Sequence, residues 1–228
     1  STIFMVQIVA DYHCDRTLWT TAAVEPGSYA LAAGTATAGS LITWLQSMTG
    51  NASYEELSAE ALAVPPGSEG LLMLPYFSGE RTPIFDPNAR GVLAGLTLRH
   101  GRGHLLRAAY EGIAFGVRDV LTRFDDAAPG ARLVAVGGGL DSPVWPQAVS
   151  DITGRTQEFL GGLVGKQIFA ELCSGAAVEG GAGYGIVQGI AAPDIRHRNG
   201  RELQHADIIG HSSQVAVIEH SSSFLHPD

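Results

Sequence analysis

Cysteine is nearly absent from these 228 residues. Cys14 and Cys173 are the whole supply, too few for a disulfide framework and in no CxxC metal knuckle. A stapled scaffold is excluded, a reducing compartment is expected, and both sulfurs read as buried thiols. Basic residues are also scarce, 14 Lys and Arg against 23 Asp and Glu, and the formal charge of -9 opposes attraction to a nucleic-acid backbone. No stretch reaches the roughly eighteen uncharged apolar residues of a membrane span. No basic region at the start runs into an apolar segment with a cleavage site. The expectation is therefore a cytoplasmic protein with no nucleic-acid and no membrane partner. Internal repeats are missing too.

What is present suits a packed domain: 45% of the residues are hydrophobic and 16% charged. Ser1 to Val9 is rich in strand formers and has no leading turn or cap, as though the chain began inside an element. Trp19 to Val24 and Tyr29 to Ala33 flank the turn Glu25-Pro26-Gly27-Ser28 and predict a hairpin. Thr37 to Met48 predicts a helix on the spacing of Leu41, Ile42, Trp44, Leu45 and Met48, with Gly50 to end it. Ser53, followed by Glu55 and Glu56, opens a second helix to Ala63.

Gly70 to Tyr76 predicts a short buried strand, and Ser78 to Gly91 a long loop. His104 to Arg123 is the clearest helix, with an apolar side of Leu105, Ala108, Ala109, Gly112, Ile113, Phe115, Gly116 and Val120 whose small members invite close approach. Arg132 to Val136 predicts a buried strand running into Gly137-Gly138-Gly139. A helix from Ser142 to Ile152 follows, opened by Asp141 or Ser142 with Pro143 in its first turn. Strands alternating with helices imply an α/β domain with a sheet covered by helices. Composition changes near residue 160, and the rest is glycine-rich and then polar, with no convincing amphipathic helix after Gly189.

Two constellations carry chemistry. The triple glycine offers backbone amides unobstructed by β-carbons, a place for a phosphate or a polarised ligand edge. It lacks the lysine followed by Ser or Thr of a Walker loop, and glycines at a strand-to-helix turn also serve geometry alone. The loop Gly79-Glu80-Arg81-Thr82-Pro83-Ile84-Phe85-Asp86-Pro87-Asn88-Ala89-Arg90-Gly91 mixes both charges between prolines, and bracing is favoured over substrate contact. His13-Cys14-Asp15 is read as structural, since neighbours on a strand point to opposite faces. The late histidines His197, His205, His211, His220 and His226 show no metal-site spacing.

Gly91-Val92-Leu93-Ala94-Gly95-Leu96, seven residues, then His104-Leu105-Leu106-Arg107-Ala108-Ala109-Tyr110-Glu111-Gly112, resembles the second signature of FGGY carbohydrate kinases. The preceding Gly79 to Gly91 loop is similar to that of xylulokinase-like members, and Gly137-Gly138-Gly139 with Ser142 to Gly154 resembles the family's adenosine segment. The resemblance covers about Ser1 to Phe159 and implies an α/β, actin-like ATPase (ribonuclease H-like) domain with a mixed sheet covered by helices. It identifies residues 1–159 as the C-terminal, nucleotide-binding domain, truncated at its start, and 160–228 as a divergent or altered segment, in which Gly175-Ala176-Ala177-Val178 is only a faint echo of the family helix.

The cofactors so implied are ATP and Mg²⁺. Ser1 and Thr2 would meet the phosphates, Gly39 and Thr43 would approach the nucleotide one helical turn apart, and Gly138, Gly139 and Ser142 would flank adenine and ribose. Ser142 competes for a role as a helix cap, and Trp44 is read as core. No catalytic residue is assigned: the resemblance puts the basic carboxylate upstream of Ser1, and neither Asp11 nor Asp15 takes its place. The expected partners are a sugar, xylulose-like by motif, an N-terminal kinase domain absent from this chain, and a second copy in a homodimer. A non-catalytic nucleotide-binding or oligomerisation module is the alternative.

Overall fold

The computed structural model describes residues 2–23, 26–160, 195–196, 202–203 and 214–219. Ser1, Val24, Glu25, Cys173, Gly175 to Val178 and the five late histidines lie outside the described residues. In chain order the elements are β1 (Ile3–Val9), β2 (Trp19–Ala22), β3 (Tyr29–Gly34), α1 (Gly39–Met48), α2 (Tyr54–Ala63), β4 (Leu72–Leu74), β5 (Val92–Ala94), α3 (Arg102–Ala127), β6 (Arg132–Gly137), α4 (Trp145–Thr153), β7 (Gln157–Leu160), β8 (Ile195–Arg196), β9 (Glu202–Leu203) and β10 (Gln214–Glu219).

Six strands form one mixed sheet in the order β2-β3-β1-β10-β6-β7. The hairpin expected around Pro26 and Gly27 is present as β2 and β3, antiparallel with Trp19 opposite Ala32. β10 was not foreseen. It enters between β1 and β6, antiparallel to the first and parallel to the second. Strand direction therefore reverses between β1 and β10, and the ends of β3, β10, β6 and β7 lie on the same side of the sheet as the start of β1. Crevices at the carboxyl ends of strands, where direction or connectivity switches, are where open α/β sheets bind ligands.

Alternation along β1 sends Ile3, Met5 and Val9 into the core while Ile8 stays exposed. The buried set joins Leu41, Ile42 and Leu45 of α1, Leu57 and Ala61 of α2, the inner face of α3 and Trp145 and Val149 of α4 in a single apolar cluster. Gln7 shares that face, fully buried, and its amide nitrogen donates to the Ala128 carbonyl at 2.8 Å. α2 starts as expected: Ser53 Oγ accepts from the Glu56 amide at 3.1 Å.

Arg107 and Glu111, within the signature helix, fasten α3 to the end of α2. Arg107 donates to the carbonyls of Ala61 and Val64 and pairs with Glu111 at 3.0 Å, while Glu111 accepts from the Gly67 amide and the Ser68 hydroxyl. Their work is structural.

Several expectations are corrected. β4 is not a buried strand: it forms a two-stranded hairpin with the unforeseen β5, and only Met73 turns inward while Leu72, Leu74 and Val92 stay exposed. α3 is longer than expected at both ends, and Phe115 lies outside its buried face, which instead uses Leu106, Tyr110, Val117, Leu121 and Phe124. α4 starts at Trp145 with Pro146 in its first turn, because Gly138–Asp141 takes a separate 3-10 turn. Cys14 is exposed rather than buried. Trp44 and Met48 are exposed as well, and Trp44 rests against Phe77 with ring centroids 4.9 Å apart. Among the described residues no helix is long and apolar enough to cross a membrane.

Candidate nucleotide site

Three turns meet at one end of the sheet. Ile3, Glu219 and Gly137 form one row across β1, β10 and β6, so Thr2 and Gly138 continue from strands two positions apart, on the order of 10 Å. On the other flank Gly34 stands opposite Phe4 at the end of β3, and the chain bends through Thr35, Ala36 and Thr37 into α1. The start of β1, the entry to α1 and the glycine turn thus share one rim.

α1 begins at Gly39 behind Ala38, with no side-chain cap and no acidic residue in its first turn. Its amides and the positive end of its dipole are suited to an anion. Thr43 is exposed one turn on, and its hydroxyl donates to the Gly39 carbonyl at 3.3 Å. Gly138 is exposed, and a β-carbon there would meet no atom of the described residues within 4 Å. The expected junction of triple glycine and helix is corrected: the 3-10 turn separates Gly137 from α4. Ser142 is buried, and its Oγ accepts from the amides of Val144 and Trp145 at 3.2 and 3.1 Å, tying the turn to the helix start.

The loop of mixed charge braces this rim. Thr82 donates its amide to the Gly34 carbonyl at 3.1 Å, Ser78 donates to Thr37 Oγ1 at 3.2 Å, and Glu80 Oε1 accepts from Ala36 and Arg81 amides, both at 2.7 Å. Glu80 and Asp86 pair through their backbones, with the Glu80 amide donating to the Asp86 carbonyl. A hollow of about 390 Å³ lies beside Ala36, Ser78 and Glu80. A second of about 420 Å³ is lined by Trp44, Met48, Leu93, Leu96 and Leu98, and includes neither Gly39 nor Thr43.

Burial pushes the Glu80 carboxyl above its ordinary range, against the opposing pull of the Arg81 and Ala36 amides and the Arg81 charge. The folded chain therefore holds this proton more tightly than the unfolded chain. The contribution to stability is complete in acid and is lost as pH rises through the raised value. Glu80→Gln keeps the acceptor and abolishes the ionisation, so its stability relative to the parent is expected to climb as pH rises from the ordinary carboxylate range through the raised value. Urea midpoints across that range check it. A constant difference would show that Glu80 does not titrate there.

Asp15 differs. Its carboxylate accepts from the Thr17 hydroxyl and amide, bonds that hold its pKa below the ordinary value. Among the described residues no group of His, Cys, Asp and Glu is arranged to hold a metal ion. The residue that sequence reasoning passed over is Glu80 as a brace for the entry to α1. The signal was its place in a proline-fixed loop, but not the strand end that it would meet.

Residues 1–161 match the FGGY family of carbohydrate kinases, C-terminal domain. A gluconokinase of Bacillus subtilis (strain 168) is 37% identical over 129 residues, 56% of this chain and 24% of the relative. A xylulose kinase of Lactococcus lactis subsp. lactis (strain IL1403) is 39% identical over 130 residues, 56% of this chain and 26% of the relative. The crystal structure of xylulose kinase from Rhodospirillum rubrum superposes with a TM-score of 0.65 at 32% identity, covering 77% of this chain and 37% of that one. The chain thus spans about a quarter of the length of these curated relatives. The actin-like α/β fold expected from the motifs agrees with these neighbours, and the chain belongs to the FGGY family of carbohydrate kinases.

Proposed function

We propose that this chain supplies the nucleotide-binding side of an ATP-dependent carbohydrate kinase, which transfers the γ-phosphoryl of ATP to a hydroxyl of a xylulose-like ketose or polyol. The observation that carries the reading is the shared rim: the start of β1, the uncapped entry to α1 and the glycine turn after β6 lie at one end of the sheet. On this reading Ser1 and Thr2 donate to the phosphates, Gly39 and Thr43 approach the nucleotide from α1, and Gly138, Gly139 and Ser142 flank adenine and ribose. The lack of acidic residues in the first turn of α1 and the open space over Gly138 fit a phosphate-bearing ligand.

Phosphoryl transfer needs positioning, charge neutralisation and a carboxylate for the sugar hydroxyl's proton. Mg²⁺ bound with ATP supplies the neutralisation. The carboxylate and the sugar-facing wall belong to an N-terminal kinase domain outside this chain. Residues 1–159 form the body of the nucleotide domain and 160–228 a divergent segment that lends β10 to its sheet. The setting is cytoplasmic.

The decisive experiment is titration with a non-hydrolysable ATP analogue and Mg²⁺. The parent chain is expected to bind, and Gly138→Val to weaken binding by about tenfold or more, the equivalent of one lost hydrogen bond to a charged group. The unfolding midpoint is expected not to move, because a β-carbon at this position meets no atom of the described residues within 4 Å. Equal binding by both proteins removes Gly138 from the site. With xylulose and ATP the chain alone is expected to show no sugar-dependent ATP consumption, and robust turnover contradicts that.

The exposed Leu72, Leu74 and Val92 on one side of the β4–β5 hairpin favour a second reading, a non-catalytic nucleotide-binding module that self-associates as a homodimer. Sedimentation of the parent against Leu72→Glu separates the two.

A further inference from the structure

The bend between β3 and α1 is only a few residues long, and three successive residues in it are tied to other parts of the chain. Thr35 exchanges bonds with the first residue of β1: its Oγ1 accepts from the Ile3 amide at 3.1 Å and its amide donates to the Ile3 carbonyl at 3.0 Å. The Ala36 amide donates to Glu80 Oε1. Thr37 Oγ1 accepts from the Ser78 amide. Thr35, Thr37 and Glu80 are all buried.

Burying a carboxylate carries a desolvation cost, and a neutral side chain could satisfy one amide as well. Glu80 has two amides on one oxygen, one from its own loop and one from the bend. Its backbone is fixed by Asp86, and two residues on, Thr82 lies against Gly34. The carboxylate therefore joins a proline-braced loop to the bend that sets where α1 begins relative to β1.

We infer that Glu80 is a positioning residue for the nucleotide: by holding Ala36 it fixes the spacing between Thr2 at the head of β1 and Gly39 at the head of α1. The inference rests on the nucleotide reading above. A ligand that bridges both heads binds tightly only when that spacing is set beforehand, since otherwise its binding must also order the bend. Glu80 need touch no ligand atom.

The parent chain, Glu80→Ala and Glu80→Gln are compared in two ways: hydrogen exchange of the Thr35 to Gly39 amides without ligand, and titration with the Mg²⁺ complex of the ATP analogue. Glu80→Ala is expected to speed exchange in that stretch and weaken the analogue on the order of tenfold. Glu80→Gln, which keeps an oxygen acceptor, is expected to restore both. Should Glu80→Ala fail to fold, Glu80→Asp, shorter by one methylene, replaces it.

Parent-like exchange in Glu80→Ala overturns the inference, as does an opened bend with unchanged analogue affinity. Failure of Glu80→Gln to rescue, with faster exchange throughout the chain, reduces Glu80 to general stability and overturns it too. A parent chain that ignores the analogue sinks the nucleotide reading and this positioning role together, and exchange then judges only the latch.

Discussion

Replacing Ala216 with proline is expected to lower the stability of the chain by about 3 kcal/mol or more, enough to abolish a cooperative transition in a marginal domain. Ala216 sits mid-strand in β10, opposite Val6 on one side and Val134 on the other. Proline has no amide hydrogen to give, and strands paired on both sides do not tolerate it. The damage spreads because β10 joins the two halves of the sheet: without it nothing bridges β1 to β6, and Thr2 and Gly138 lose their common rim. Urea denaturation checks this, with Ala216→Gly, which keeps the amide hydrogen, as the comparison. If the two variants unfold alike, β10 does not hold the sheet together.

Two glycines on α3 should respond to alanine with opposite signs. A β-carbon on Gly112 would stand 2.2 Å from the Met73 carbonyl oxygen, a backbone atom of β4 that cannot swing aside. Gly112→Ala must push β4 from the helix and is expected to destabilise by about 1–3 kcal/mol, despite alanine's better helix propensity. Gly116 is one turn on, and a β-carbon there meets nothing among the described residues within 4 Å. There only the propensity remains, and Gly116→Ala is expected to stabilise by roughly 0.5–1 kcal/mol. Measured side by side in urea, matching signs would mean that α3 and β4 are not in contact at Gly112.

That contact also shows what could be read beforehand. Small residues on the His104 helix announced a close neighbour, but not which one, because Met73 of β4 lies far upstream of Gly112 in the chain. Local signals were reliable where local physics decides: Ser53 caps α2, the turn near Pro26 and Gly27 joins β2 to β3, and the Gly137 turn ends β6. They failed where burial is settled by distant chain. Leu72 and Leu74 are apolar enough for a core strand, yet their hairpin has no partner on its outer side among the described residues, and they stay exposed.

Trp44 met the same fate. β10 could not be foreseen, since a six-residue run in a polar segment carries no mark of the slot it fills. The candidate site was legible only through family likeness. Neither the glycine turn nor the entry to α1 implies the other until strand order brings them together.

The pairing of Glu219 with Ile3 has a topological consequence. Adjacent antiparallel strands whose end and beginning face each other are related as the two arms of a hairpin, although nearly the whole chain separates them here. A short turn linking Glu219 directly to Ile3, with new termini opened between β7 and β10, would preserve every ladder in the six-stranded sheet. Such a circular permutant would exchange the longest-range strand pairing among the described residues for a local one, and a smaller loop-closure penalty favours faster assembly.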